Sequence, residues 1–141
     1  MSGIGKYRLV ALDSNIFIYH FEDNQEFKLP IDLIFQDLIK TATRAVTSVV
    51  SVIEALSYPT PDVVVKEIEE AFKNTPNLQI LDVNHEIARR ASKIRRKYRA
   101  LKLPDAVQLA SASFARAQIF ITNDKRIKIF KELPIKLLTE I

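Results

Sequence analysis

The chain has 141 residues, 48% of them hydrophobic and 27% charged, which fits one globular domain with a single sizeable core. It contains no cysteine, so a disulfide framework, a thiolate zinc site and a cysteine nucleophile are all excluded. The net charge of +4 comes from one segment: residues 86 to 102, EIARRASKIRRKYRALK, hold eight Lys or Arg against one acid, +7 in all, leaving −3 elsewhere. The opening MSGIGKYRLV lacks the apolar core of a signal peptide, and no apolar run approaches the ~18 residues of a membrane span. The expectation is a cytoplasmic protein with no membrane partner.

In chain order, YRLVAL (7 to 12) is a short apolar strand, broken off by Asp13-Ser14-Asn15, which can cap a following helix. PIDLIFQDLIKTATR (30 to 44) places Ile31, Ile34, Phe35, Leu38 and Ile39 on one helical face. AVTS (45 to 48) is a second strand, and the element starting near Ser48, SVVSVIEALSY, carries Glu54 about two helical turns in. PDVVVKEIEEAFKN (61 to 74) reads as a helix opened by Pro61, despite its β-branched run. LQIL (78 to 81) is a third strand. NHEIARRASKIRRKY (84 to 98) aligns Ile87, Ala91, Ile94 and Tyr98 on one face, opposite Arg89, Arg90, Lys93, Arg96 and Lys97. PDAVQLASASFARA (104 to 117) is an Ala/Ser-rich helix with Pro104 in its first turn, QIFIT (118 to 122) a fourth strand, and IKLL (135 to 138) a fifth. Strands separated by helices predict an α/β fold with a parallel sheet, and nothing divides residues 1 to 141 into smaller units.

In such a sheet ligands bind outside the carboxyl ends of the strands. Asp13 follows the first strand and Asp124 the fourth, while Glu54 and Asp105 lie on helices able to face the same crevice. Each acid also has a purely structural explanation. Asp105 suits the first turn of its helix, Asp124 can cap a short helix over 125 to 130, and Asp13 can cap the helix after it. Glu54 differs, because Val49, Val50, Val52, Ile53, Ala55 and Leu56 leave it few polar neighbours, and a carboxylate facing a core is costly unless paired or bound to a cation.

VALDSNIFIYH, TSVVSVIEAL, LKLPDAVQLASA and IFITNDKRI resemble, in order and rough spacing, the four acidic motifs of the PIN domain, the nuclease fold of VapC-type toxins from type II toxin–antitoxin systems. The resemblance spans nearly the whole chain and implies a three-layer α/β/α fold with a short central parallel sheet. It matches Asp13, Glu54, Asp105 and Asp124 to the family's four acids, and Ser14, Ser48, Thr122 and Asn123 to the small polar positions beside them. Ala117-Gln118 departs from the pattern, since many relatives have a Gly before the fourth motif's strand. The implied activity is metal-dependent endoribonuclease, with a likeness to toxins that implies a cognate antitoxin and a homodimer; the apolar residues of PIDLIFQDLI and PDVVVKEI can form its interface, and the same residues also suffice for an ordinary core. Carboxylates without Cys or a nearby His favour Mg²⁺ or Mn²⁺, with Asp13 and Asp105 as the most direct ligands and Glu54 and Asp124 completing the site.

The basic face of residues 84 to 98 is then an expected RNA contact, through Arg89, Arg90, Lys93, Arg96 and Lys97, because one acid among eight bases leaves little salt-bridge lacing. A solvated helix face competes with that reading. A non-catalytic RNA-binding module of the same fold, with its acids serving only as caps, also stays open, as does a housekeeping RNA-processing nuclease. A phosphoacceptor domain ranks low, because LDSN supplies one acid where adjacent acids are the norm.

Overall fold

The computed structural model describes residues 3–141. Five strands, β1 (Leu9–Leu12), β2 (Arg44–Ser48), β3 (Leu78–Leu81), β4 (Ile119–Thr122) and β5 (Ile135–Leu137), form one parallel sheet in the order β3-β2-β1-β4-β5. Six helices accompany them: α1 (Ser14–Phe21), α2 (Lys28–Lys40), α3 (Val50–Leu56), α4 (Asp62–Lys73), α5 (His85–Lys97) and α6 (Leu103–Phe114). The five expected strands are all present, within two residues at each end.

Alternation along the strands divides the core in two. Val10, Leu12, Ala45, Ile119 and Ile121 face one layer and pack with Ile16 and Phe17 of α1, Ile34 and Leu38 of α2 and Phe72 of α4. Ala11, Val46 and Phe120 face the other and pack with Ile87, Ala91 and Ile94 of α5 and Leu109 and Ala110 of α6. The result is the expected α/β/α sandwich, with the central strands β1, β2 and β4 buried on both faces and the edge strands β3 and β5 only partly buried. Every residue of α6 from Ala106 to Ala112 is buried, which explains its Ala/Ser content: small side chains let this helix sit tightly between α5 and the sheet.

Two local readings are corrected. Ile39 lies off the buried stripe of α2 and is 64% exposed, whereas Ile31, Ile34, Phe35 and Leu38 are buried as expected. Helix α3 begins at Val50, so Glu54 stands little more than one turn in, and it is half-buried rather than turned into the core.

The turn before β4 works without glycine. After α6, Arg116 adopts φ +61°, the Arg116 amide donates to the Ser113 carbonyl (3.1 Å) and the Ala117 amide to the Ala112 carbonyl (3.0 Å), the helix-ending pattern usually built on Gly. The Gln118 carboxamide oxygen then accepts from the backbone amides of Arg8 and Leu9, tying the start of β4 to the start of β1.

Candidate active site

The chain leaves β1 in one direction to β2 and returns on its other side as β4, so the sheet's topological switch lies between β1 and β4, where a crevice opens at the carboxyl edge. Asp13 follows β1 directly. Its amide still donates to the Ile121 carbonyl of β4 (3.0 Å), and the residue caps α1 from an extended backbone. Oδ1 accepts from the Ser14 backbone amide at 2.8 Å, and Oδ2 from the Thr122 hydroxyl at 2.7 Å and the Asn15 side-chain Nδ2 at 3.4 Å.

Capping alone is ordinary for an aspartate. What sets Asp13 apart is that it is 7% exposed and that no Lys or Arg of the described residues pairs with it. Burial pushes its carboxyl up to about 6; the Thr122 and Ser14 hydrogen bonds work against that, and the negative charges of Asp105 and Glu54 add to it. These three acids therefore share one electrostatic neighbourhood.

Glu54 is brought there by α3, its Oε1 accepting from the Ser14 hydroxyl at 2.8 Å. Asp105, at the third position of α6, uses Oδ2 to accept from the Lys102 amide at 3.0 Å and so closes the start of its own helix. Asp124 caps a 3-10 turn over Lys125–Ile129 and is turned toward Arg126, accepting from its backbone amide (3.0 Å) and from its guanidinium Nε (3.2 Å) and Nη2. The same Nη2 stands 3.5 Å from Asp105 Oδ2. Arg126 thus bridges Asp105 and Asp124, and among the described residues no three His, Cys, Asp or Glu stand close enough to hold a metal ion in this arrangement. The donor set nevertheless suits a hard cation, being all oxygen and including a buried carboxylate with no positive partner.

The small polar residues divide. Ser14 and Thr122 touch the acids, and the Thr122 Oγ1 also accepts from the Asp124 amide (3.0 Å) and the Asn15 side chain (3.2 Å). The Ser48 hydroxyl accepts from Val50 at the start of α3, and the Asn123 side chain donates to the Tyr19 hydroxyl, so neither hydroxyl nor amide reaches an acid. Asn15 and Arg126 were missed by the sequence reading. Asn15 was visible only as part of a cap, and Arg126 as one more base in NDKRI, because contacts to residues 107 positions away or across a helix start carry no local signature.

The basic face differs from its expected form. Glu86 pairs with both Arg89 (3.4 Å) and Arg90 (3.2 Å), and Lys97 pairs with Glu132 (3.2 Å), so lacing is present for three of the five bases. Lys93 and Arg96 have no ion pair among the described residues. Because α5 and α6 pack as a hairpin, Arg90 reaches Ser113 (3.0 Å), eight residues along α6 from Asp105 and hence ~12 Å along its axis. The face runs away from the acids, with its Lys97 end nearer to them.

An apolar cleft of about 420 Å³ lies among Ile18, Phe21, Ala55, Tyr58, Val64 and Ile68, and none of the four acids lines it. Among the described residues no helix is long and apolar enough to cross a membrane.

No curated protein matches the sequence. The structure is similar to a chain of a toxin–antitoxin complex from Klebsiella pneumoniae (25% identity, TM-score 0.70, covering 94% of this chain and 99% of that one). It also resembles DNA-bound VapBC from Salmonella typhimurium (18% identity, TM-score 0.70, 93% and 98% covered) and VapBC2 from Rickettsia felis bound to a promoter DNA fragment (14%, 0.70, 92% and 98%) in fold. The PIN domain model matches residues 10–134, from β1 through the loop before β5, and takes in all four acids. The chain belongs to the PIN domain family, whose VapC-type members are nucleases.

Proposed function

We propose that the protein is a divalent-metal-dependent endoribonuclease, acting in the cytoplasm as the toxin of a type II toxin–antitoxin pair, with Asp13, Glu54, Asp105 and Asp124 as its catalytic carboxylates. The observation that carries this reading is Asp13: a buried carboxylate without a counter-ion, beside Glu54 and Asp105, at the switch point of a parallel sheet. A bound Mg²⁺ or Mn²⁺ supplies a water of lowered pKa and neutralises charge on the phosphate. The chain's own residues hold the ligands in place: Thr122 and the Ser14 amide orient Asp13, the Ser14 hydroxyl orients Glu54, and the Lys102 amide orients Asp105. Arg126 lies against both Asp105 and Asp124 and offsets their mutual repulsion.

RNA approaches over Lys93 and Arg96, which have no ion pair among the described residues, and over Arg89, Arg90 and Lys97, whose partners phosphate can displace. The solved toxin–antitoxin complexes it is similar to support a cognate antitoxin as partner. For the homodimer, Ile39 and Val63, 64% and 63% exposed, are the large apolar side chains of the two expected segments that stand furthest out, while Ile31, Ile34 and Leu38 are core and Val64 and Val65 are half-buried.

One alternative has a specific observation in its favour. Asp13, Asp105 and Asp124 each accept from a backbone amide at a helix start, as caps in a non-catalytic RNA-binding module would. Cleavage of single-stranded RNA in Mn²⁺ or Mg²⁺, and its loss in excess EDTA, separates the two. Cleavage that survives EDTA overturns the metal mechanism, and saturable RNA binding with no cleavage and no Mn²⁺ binding establishes the module.

Arg126→Gln removes the internal cation from Asp105 and Asp124. Calorimetric titration should show Mn²⁺ bound several-fold more tightly than by the wild type, as expected when a competing ~1 kcal/mol ion pair is lost. Equal or weaker binding means that Arg126 does not compete with the metal.

A further inference from the structure

Beneath the acids lies a buried chain of hydrogen bonds. The Gln108 side-chain amide donates to the Ser51 hydroxyl (2.7 Å), the Ser51 and Thr47 hydroxyls are 2.6 Å apart, and Thr47 donates to the Leu12 carbonyl (2.7 Å). Since Thr47 spends its only proton on Leu12, Ser51 must donate to Thr47, so the chain runs one way from α6 through α3 and β2 to β1. Gln108 Oε1 also accepts from the Ser48 amide at 3.3 Å. Gln108, Ser51 and Thr47 are 2%, 0% and 2% exposed, and no buried side-chain polar atom among the described residues lacks a partner.

Three facts make this more than core packing. Gln108 is one helical turn after Asp105 on α6, Ser51 is one turn before Glu54 on α3, and Leu12 immediately precedes Asp13. Gln108, Ser51 and Leu12 therefore each lie within a turn of one acid, Asp105, Glu54 and Asp13 respectively, and Thr47 of β2, which carries no acid, links Ser51 to Leu12. Apolar side chains would fill the same seam without the cost of desolvating an amide and two hydroxyls. What they would not supply is a fixed spacing, because a satisfied polar chain admits one relative placement of its elements where packed methyls tolerate several.

We infer that Gln108, Ser51 and Thr47 form a brace that sets the spacing of Asp13, Glu54 and Asp105 for cation binding, with Gln108 as its key positioning residue. The inference rests on the metal-site reading above. None of the three brace side chains hydrogen-bonds to one of the acids.

The test is calorimetric titration of the full chain with Mn²⁺ alone, well below the melting temperature. Thr47→Val keeps the side chain's shape but breaks the brace, and Gln108→Met keeps its length. Both should bind Mn²⁺ about tenfold more weakly than the wild type, the range seen when supporting contacts around metal ligands are lost. Thr47→Ser loses a methyl and some thermal stability yet keeps the hydroxyl, so its Mn²⁺ affinity should stay at the wild-type value. Ile34→Val, in the core on α2, a helix that carries neither a brace residue nor one of the four acids, should likewise lower the melting temperature and leave the affinity unchanged. The Thr47→Val and Gln108→Met double variant should bind no more weakly than the worse single one, since both cut one chain.

Wild-type affinity in Thr47→Val and Gln108→Met overturns the brace while leaving the metal site standing. Affinity that instead tracks melting temperature across all four single variants, Thr47→Ser and Ile34→Val included, also overturns it, because the residues would then act through stability alone. If the wild type itself shows no saturable Mn²⁺ binding, the metal-site reading fails first and the brace falls with it.

Discussion

Asp13→Asn is expected to make the metal-free protein more stable at about pH 7.5 while abolishing its response to Mn²⁺. The Asp13 carboxyl is raised from an ordinary 3.8 to about 6, so between these values the folded chain holds a proton that the unfolded chain has released. Stability from this group is full below pH ~4 and is lost as pH rises through ~6, about 3 kcal/mol in all from a shift of some two units. Asn keeps an acceptor for the Ser14 amide, but its NH₂ group loses the bond from the Thr122 hydroxyl, whose oxygen already accepts from the Asp124 amide and the Asn15 side chain, and it meets the Asn15 side-chain amide less favourably. The net gain should be about 1–2 kcal/mol, several degrees of melting temperature. Glu132 and Glu140, held low by Tyr98 and by Lys128 respectively, favour the fold as pH rises, so the wild-type curve alone mixes opposing trends. The difference between wild type and Asp13→Asn isolates Asp13: near zero at about pH 4 and growing through 6. A variant less stable than wild type at neutral pH would show that the buried charge is already neutralised.

The same carboxylate should make Mn²⁺ raise the wild-type melting temperature, more at neutral pH than at about pH 5, where proton and metal compete. Asp13→Asn should show no such rise.

Asp105→Asn should lower RNA cleavage at least 100-fold, about 3 kcal/mol of transition-state stabilisation, while RNA affinity holds or improves. The geometry makes this substitution selective. The capping role of Asp105 needs only an acceptor for the Lys102 amide, which the Asn oxygen still provides, so stability should change by less than about 1 kcal/mol. Only the charge is lost. Replacing Arg89, Arg90, Lys93, Arg96 and Lys97 together with Gln should do the converse, lowering affinity and flattening its salt dependence while Mn²⁺ binding stays intact. Since Arg89, Arg90 and Lys97 are already ion-paired, most of the lost affinity should be traceable to Lys93 and Arg96. Cleavage by Asp105→Asn at the wild-type rate would reduce Asp105 to a helix-start acid, and an unchanged salt slope would reduce the basic face to a solvated one.

The strands and most helices were legible because their signal is local. Runs such as LVAL and IFIT are apolar or small on both faces, and the stripes Ile31, Ile34, Phe35, Leu38 and Ile87, Ala91, Ile94 repeat at helical spacing. Ile39 failed the same test because a stripe's edge is set by the neighbouring element, here one that leaves it uncovered. Lacing on α5 was half visible: Glu86 lies three and four residues from its partners, but Glu132 is on another element altogether.

By itself the sequence determined an α/β chain with strands buried on both faces, the positions of four acids relative to strand ends and helix starts, and the absence of cysteine chemistry. Periodicity and capping act between residues a few positions apart, and these are properties of that range. Tertiary structure alone decided that Asp13 would be buried without a counter-ion, that Arg126 would stand between Asp105 and Asp124, and that Gln108 would meet Ser51 and Thr47 in the seam below. Desolvation, ion pairing and buried hydrogen bonds depend on distance in space, and the contact from Thr122 to Asp13 spans 109 positions of chain.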